Sequence, residues 1–377
     1  MISEQREPHK PRVLIVNSAL YIGGAENVTA TLCREIDRTR FDVFVAHLKG
    51  NGPIAQALES EGYEVVRIAL TDGGQRDFFT SVRLRRLIIQ LDIDLIHTHD
   101  LHSMVDGVLC GWTVPGLRHA TTFHYGNYPR PTRRYQTLER VFMRFPNRLV
   151  AVGESQRRSI AETYNIAVER LALIRNGVPD VKTESSTEDQ DSVRRGAEIV
   201  IGSISTLIPQ KGIDVLLRAI RILADEALRF RVVLVGDGYL RSSLESLAKE
   251  LDLNAYVEFV GWVDDAARRV LPWVDVFVQS SLWEAMSIVI LEAMSSGCAI
   301  VATTVGDNSY IIRDAESGLL VPPGSPDMLA ASLRKVITDR SLREHLARES
   351  RNDYEKKYTA RRMCADYEEL YLEILGQ

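Results

Sequence analysis

Two glutamates eight positions apart, Glu284 and Glu292, stand in the stretch WEAMSIVILEAMSSG, where every other residue is apolar or small. Ser287 suits an N-cap and Gly297 a C-terminal stop, so a helix is predicted between them. Glu284 then falls in the loop ahead of that helix and Glu292 lies on it. A carboxylate among aliphatic neighbours needs a partner, because burying it alone is expensive. A helix start offers free N–H groups to phosphates, and carboxylates accept hydrogen bonds from hydroxyls. That chemistry suits a sugar nucleotide; the bland alternative is an internal salt bridge at Glu292.

Other candidates are weaker alone. Lys211-Gly212 follows an apolar run and offers a charge that can neutralise a departing diphosphate; an exposed loop lysine is the plain reading. Gly23-Gly24 precede a helical pattern, where a backbone can approach an anion. They do not form G-x-G-x-x-G, and the second apolar run ends His47-Leu48-Lys49 without the acid that would hold a cofactor ribose, which weighs against a nicotinamide enzyme. His97, His99 and His102 cluster, but no closing carboxylate or cysteine sits at metal spacing. A strand with alternating faces followed by a polar loop explains them better. Asp92-Ile93-Asp94 precedes a strand, where helix-ending polar residues are expected. His124, at the end of HATTFH, can donate a hydrogen bond to a sugar or relay a proton, or can simply be a capped loop histidine.

These residues need elements to position them. Short β-branched and aliphatic runs alternate with helical patterns through two halves. Strands are predicted at 12–18, 42–48, 64–69, 95–99, 120–124, 148–153 and 171–175, then at 198–205, 231–236, 257–261, 274–280, 299–305 and 318–321. Helical patterns lie at 25–36, 78–91 and 134–144, and an amphipathic one at 359–375 ends the chain. Apolar strands separated by helices indicate parallel sheets covered on both faces, the doubly wound α/β class. Expected domains are 1–180, a polar linker at 181–197, a second domain at 198–356, and a last segment at 357–377 packing back on the first. Ligands of such sheets bind beyond the carboxyl ends of the strands, so the expected site is the cleft between the two domains.

The chain has 377 residues, 45% hydrophobic and 26% charged, which fits two soluble domains. A net charge of −5 gives no whole-chain reason to expect nucleic acid as a partner. The cysteines (Cys33, Cys110, Cys298 and Cys364) are far apart and form no C-x-x-C pair. No apolar run is long enough to span a membrane or form a signal core, so a cytoplasmic location is expected. The basic, aromatic segment from Arg130 to Arg148 allows peripheral contact with an anionic membrane surface: Arg133, Arg140 and Arg144 share one helical side, with Leu138, Val141, Phe142 and Phe145 away from them. The plainer reading packs that apolar side on the sheet.

Together these residues resemble the large retaining glycosyltransferase family with the GT-B fold, often called family 4, over nearly the whole chain. The most specific part is E-x7-E, followed by A-M-x-x-G and an apolar strand. VLVGDGYLRSSLESLAKEL, VEFVGWV and ESGLLVPPGSPDML also match, as do GGAEN, DLIHTH, TFH, AVGES and LIRNGV in the first half. The resemblance implies a sugar moved from a nucleotide-sugar donor, UDP favoured, to a glycan or lipid-linked acceptor with retained configuration, in cell-surface polysaccharide or glycoconjugate synthesis. No metal or other cofactor is implied. Glu284 would contact the donor sugar, Glu292 the ribose, and Lys211 the leaving diphosphate. Met286, Ser287 and Ile288 would meet phosphates and sugar through their backbone. Gly23 and Gly24 would approach the phosphates, Gly261 and Trp262 would lie near the base, and Gly236 and Thr206 would complete the donor contacts. His124 would sit near the transferred sugar, with His99 and Tyr125 on the acceptor side. The family's usual Gly-Arg-Leu is here Ser205-Thr206-Leu207, so a hydroxyl replaces a guanidinium that donates paired charge-assisted bonds. The usual Gly-x-Pro after the first glutamate is Ala285-Met286-Ser287. Alternatives are a non-catalytic sugar-nucleotide-binding member of the fold and a sugar-nucleotide epimerase.

Overall fold

The computed structural model describes residues 10–21, 23–50, 52–69, 77, 79–181, 199–226 and 228–377. Apart from Val181, the linker expected at 181–197 lies outside the described residues. The chain forms two compact units, one of Met1–Asn176 with Ala360–Gln377, the other of Gly177–Thr359.

The first unit holds a seven-stranded parallel sheet. Its strands are β1 (Arg12–Asn17), β2 (Asp42–His47), β3 (Val65–Arg67), β4 (Leu95–Thr98), β5 (Arg118–Phe123), β6 (Arg148–Ala151) and β7 (Leu171–Leu173), in the order β3-β2-β1-β4-β5-β6-β7. Helices α1 (Gly24–Glu35), α2 (Pro53–Ser60), α3 (Thr80–Gln90), α4 (Leu101–Thr113), α5 (Arg133–Phe142) and α6 (Glu154–Tyr164) connect them. Val13 to Val16 and Leu95 to Ile96 are fully buried, as continuous apolar strands covered on both faces must be. The order reverses direction between β1 and β4, which makes the loops after those strands the switch point where ligands of such sheets bind. Asp92 takes a left-handed conformation just past α3, and Asp94 accepts the Arg12 backbone N–H at 2.9 Å. That carboxylate pair is structural.

The second unit has six parallel strands, β8 (Ile199–Ile204), β9 (Phe230–Val235), β10 (Val257–Gly261), β11 (Val276–Gln279), β12 (Ala299–Thr303) and β13 (Leu319–Val321). Their order is β10-β9-β8-β11-β12-β13, so the switch point lies between β8 and β11. The helices are α7 (Ile213–Ala224), α8 (Arg241–Glu250), α9 (Ala266–Val270), α10 (Ile288–Ser296), α11 (Asn308–Ile311), α12 (Pro326–Thr338) and α13 (Arg340–Lys357).

The last helix, α14 (Ala360–Leu375), returns to the first unit. Met363, Leu370 and Ile374 are buried there, each contributing roughly 1.5–3 kcal/mol. Glu368, 1% exposed, accepts the Asp37 N–H at 2.9 Å and pairs with Arg40 at 2.9 Å and Arg361 at 3.1 Å. A buried carboxylate is tolerated because its oxygens are engaged this way.

Two expectations change. The helix over α5 ends at Phe142, so Arg144 and Phe145 lie beyond it. Its apolar side is also only partly covered: Leu138 and Phe142 pack against the core, but Val141 is 46% and Phe145 50% exposed. The plain packing of that whole side on the sheet is therefore corrected. Among the described residues no helix is long and apolar enough to cross a membrane.

Candidate functional site

In the second unit the loops after β8 and β11 meet at the switch point. The chain leaves β8 through the exposed Thr206, turns at Pro209–Lys211, and enters α7 from Gly212. Gly212 has φ +57, and a Cβ there would stand 2.3 Å from the Ser280 carbonyl oxygen. Only glycine lets the lysine turn lie this close to the β11 loop. Lys211 Nζ reaches Glu284 Oε1 at 2.6 Å. Glu284, 9% exposed, also accepts from Ser281 Oγ at 2.8 Å and Gln210 Nε2 at 3.3 Å. The two groups assigned to sugar and diphosphate from sequence are thus each other's partners.

The loop from Glu284 to Ser287 is held from beneath. Gln279 Nε2 donates to Ser287 Oγ at 2.6 Å, and Asn308 Nδ2 donates to Gln279 Oε1 at 2.8 Å. Thr303 Oγ1 donates to the Ser281 carbonyl at 2.7 Å. Gly306, φ +53, lies against the carbonyls of Glu284 and Ala285, where a Cβ would stand 2.5 Å from each oxygen. Met286 and Ser287 are buried. The helix runs from Ile288 to Ser296 with Gly297 in the left-handed conformation, as expected, but the Ser287 side chain makes no cap bond; Gln279 occupies it. The first-turn N–H groups of α10 are left without a side-chain cap.

Glu292 sits one turn into α10. Its carbonyl accepts from Ser295 Oγ at 2.9 Å, but its carboxylate has no hydrogen-bond or ion-pair partner among the described residues, so the internal salt bridge does not form. Burial, with a smaller push from Asp265, drives its pKa up to about 7. Gly236 follows β9 and Gly261 closes β10, and the Gly236 N–H donates to the Gly261 carbonyl at 2.8 Å. Trp262 is 52% exposed and donates from Nε1 to Asp264 at 2.8 Å.

The first unit gathers its candidates at the carboxyl ends of β4 and β5. His99 Nδ1 lies 3.0 Å from His124 Nε2. Beneath them His97 is bonded to Tyr371 at 2.7 Å and Thr122 at 2.8 Å, and Thr122 to Tyr367 at 3.0 Å. On the opposite face Thr98 and Thr121 satisfy His119. His97 lies in β4 and His99 just past its end, but the polar loop expected after them is a helix: His102 is the second residue of α4, capped by Asp100. Among the described residues no group of three or more His, Cys, Asp or Glu side chains could hold a metal ion. Tyr125 is engaged by Arg130, whose guanidinium lies 4.3 Å over its ring, and by Gln156, which donates to its carbonyl at 2.7 Å. Gly23 and Gly24 open α1 with Gly23 in extended backbone. No bond joins them to the histidines.

Sequence reading missed Gln210, Gln279, Ser281, Gly306 and Asn308. The only local signal was Gln279 closing the apolar run VFVQ.

The two doubly wound sheets make a GT-B fold, and a lysine–carboxylate pair and an uncapped helix start lie at the second unit's switch point. The family model for glycosyl transferases group 1 matches residues 184–353, and that for glycosyltransferase family 4 matches residues 22–181. The chain belongs with the group 1 glycosyltransferases. It is 27% identical to an uncharacterized glycosyltransferase of Methanocaldococcus jannaschii, over 75% of this chain and 77% of that one. It is 22% identical to the UDP-Gal:alpha-D-GlcNAc-diphosphoundecaprenol alpha-1,3-galactosyltransferase of Escherichia coli, over 94% and 95%. HepE of Anabaena, solved in complex with UDP-glucose, superposes with a TM-score of 0.82 at 21% identity, covering 96% of this chain and 99% of that one.

Proposed function

We propose that this glycosyltransferase is a retaining family 4 enzyme that takes a UDP-sugar and transfers the sugar to a lipid-linked or glycan acceptor in surface polysaccharide or glycoconjugate synthesis. The observation that carries the reading is the Lys211–Glu284 pair beside the free start of α10. A diphosphate entering there meets N–H groups of Met286, Ser287 and Ile288, and draws Lys211 toward its developing charge. Glu284, released from the lysine, turns to sugar hydroxyls, and Glu292 accepts ribose hydroxyls in place of the partner it lacks. Gly236, Gly261 and Trp262 belong to the base side of the same proposal. Gly23 and Gly24 belong to its phosphate contacts, His124 to its sugar contact, and Tyr125 to its acceptor side; His99, buried behind His124, reaches that side only through it. The UDP-glucose bound by HepE and the lipid-diphosphate acceptor of the E. coli enzyme support the donor and acceptor classes. Lys211 supplies the charge, so no metal is required.

The test is nucleotide release from a panel of UDP- and GDP-sugars, with and without EDTA, using wild type, Glu292→Ala and Lys211→Ala. One UDP-sugar hydrolysed in EDTA, with both variants inactive but folded, supports the reading; an inverted product anomer sinks retention. A protein that binds donor but never turns it over, with any acceptor, leaves the non-catalytic reading ahead. Thr206→Arg, which restores the guanidinium at an exposed position, is expected to tighten donor binding by about tenfold in calorimetry.

We also propose that α5 rests on an anionic membrane. Trp112 lies 5.1 Å from Phe145 and 6.2 Å from Phe142, ring to ring, and Trp112, Val141 and Phe145 are exposed. The one acid of the segment, Glu139, is buried against Arg130, which leaves Arg133, Arg134, Arg140 and Arg144 as the exposed charges of the same segment. Co-sedimentation with phosphatidylglycerol vesicles at low salt, lost in Trp112→Ser/Phe145→Ser, is expected; equal recovery with neutral vesicles or with the variant overturns it.

A further inference from the structure

The ring pair at the end of β4 and β5 decides what kind of group His124 is. Only one nitrogen of the Nδ1···Nε2 contact between His99 and His124 can carry the proton. Burial holds both imidazoles neutral at pH 7, His99 well below its ordinary value and His124 down to about 4. His99 is 1% exposed, and its Nε2 is sealed from solvent without a partner. If His124 were the donor, His99 would carry its hydrogen on that sealed nitrogen, leaving a buried N–H unpaired. Buried orphan N–H groups are rarer than under-satisfied acceptors. If His99 donates from Nδ1, the orphan is a bare acceptor. Ring reversal offers no escape, since it would set a C–H against His124 Nε2. Nor does the ring have room to move: His97 lies 4.1 Å away, centroid to centroid, clamped by Tyr371 and Thr122.

We propose that His99 fixes His124 in the Nδ1–H tautomer, so that His124 serves as a hydrogen-bond donor and not as a general base. His124 Nδ1 has no partner among the described residues and is not one of the sealed orphan atoms. It therefore offers its N–H outward. His99 is a positioning residue, and the tyrosines of α14 steady it through His97. This rests on the proposed role of His124 toward the transferred sugar, and it sharpens that role: the group can polarise a sugar oxygen but cannot take the acceptor's proton.

Long-range proton–nitrogen NMR on histidine-labelled full-length protein at pH 7.5 tests the assignment without turnover, with the His124 signals identified by their loss in His124→Gln. A pyrrole-type shift at His124 Nδ1 and a pyridine-type shift at its Nε2 are expected. The opposite pattern overturns the proposal. His99→Asn places an amide donor near the Nδ1 position and should keep the pattern; His99→Leu removes the donor and should release a tautomer mixture. An unchanged pattern in His99→Leu also overturns it. In donor hydrolysis, His99→Leu is expected to lose about tenfold in kcat with KM unchanged, and His99→Asn to recover most of it. Equal kcat in both variants counts against a positioning role. If no donor is ever hydrolysed while the tautomer pattern stands, the transferase reading fails and the assignment does not.

Discussion

Glu292 ties binding chemistry to stability. Its native pKa, about 7, lies above the ordinary 4.5, so the folded state holds the proton more tightly than the unfolded state. The neutral acid's contribution is present below pH 4.5 and is lost as the pH rises through about 7. The loss is at most about 3 kcal/mol, and smaller because the side chain keeps some contact with solvent. Glu292→Gln should therefore raise the melting temperature by a few degrees at pH 8 and change little at pH 4. Thermal melts across that range check this, and an equal shift at both ends would contradict it. Lys211 shows the converse. Its removal leaves Glu284 buried with only neutral donors. Lys211→Met should cost about 3 kcal/mol in urea unfolding, part of it recovered by adding Glu284→Gln. A coupling energy near zero would show that the pair contributes nothing. Both glutamates were legible from the sequence because a charge in an apolar run is conspicuous. Their environments were not: the lysine is 73 positions from Glu284, and only the sheet order brings the two loops together.

Elements were easier to read than contacts. The run VEFVG became β10 without a shift, and the other strands differ by one or two residues at their ends, where pairing and not hydropathy sets the limit. Loop support was illegible, because Gly306, Asn308 and Gln279 act across elements. Gly306 gives this a measurable form. Alanine there would need a left-handed backbone and would press on the Glu284 and Ala285 carbonyls. Gly306→Ala should cost roughly 1–3 kcal/mol and weaken donor binding, with the α10 helix intact by hydrogen exchange. Wild-type stability and affinity in this variant would mean the loop is not held from that side. The exposed aromatic cluster was missed for another reason. A helical wheel for α5 cannot include Trp112, which comes from α4.

At the scale of the molecule, α14 is made after the whole second unit and yet completes the first. Removing residues 360–377 should strip hydrogen-exchange protection from β4 and β5 while β8 to β12 keep theirs; uniform loss would mean the units unfold as one. The arrangement also sets a schedule for synthesis. Between Asn176 and Ala360 the ribosome must make the second unit, 360 − 176 − 1 = 183 residues, which at ~5–20 residues per second takes roughly 10–40 s. Through that interval the nascent first unit carries a bare groove where Tyr367, Tyr371 and Met363 will dock, and His97 waits without its tyrosine. The second unit can be complete before the first one is. The unit begun first is thus finished second, and during translation its unfilled groove is apolar surface that a chaperone would cover.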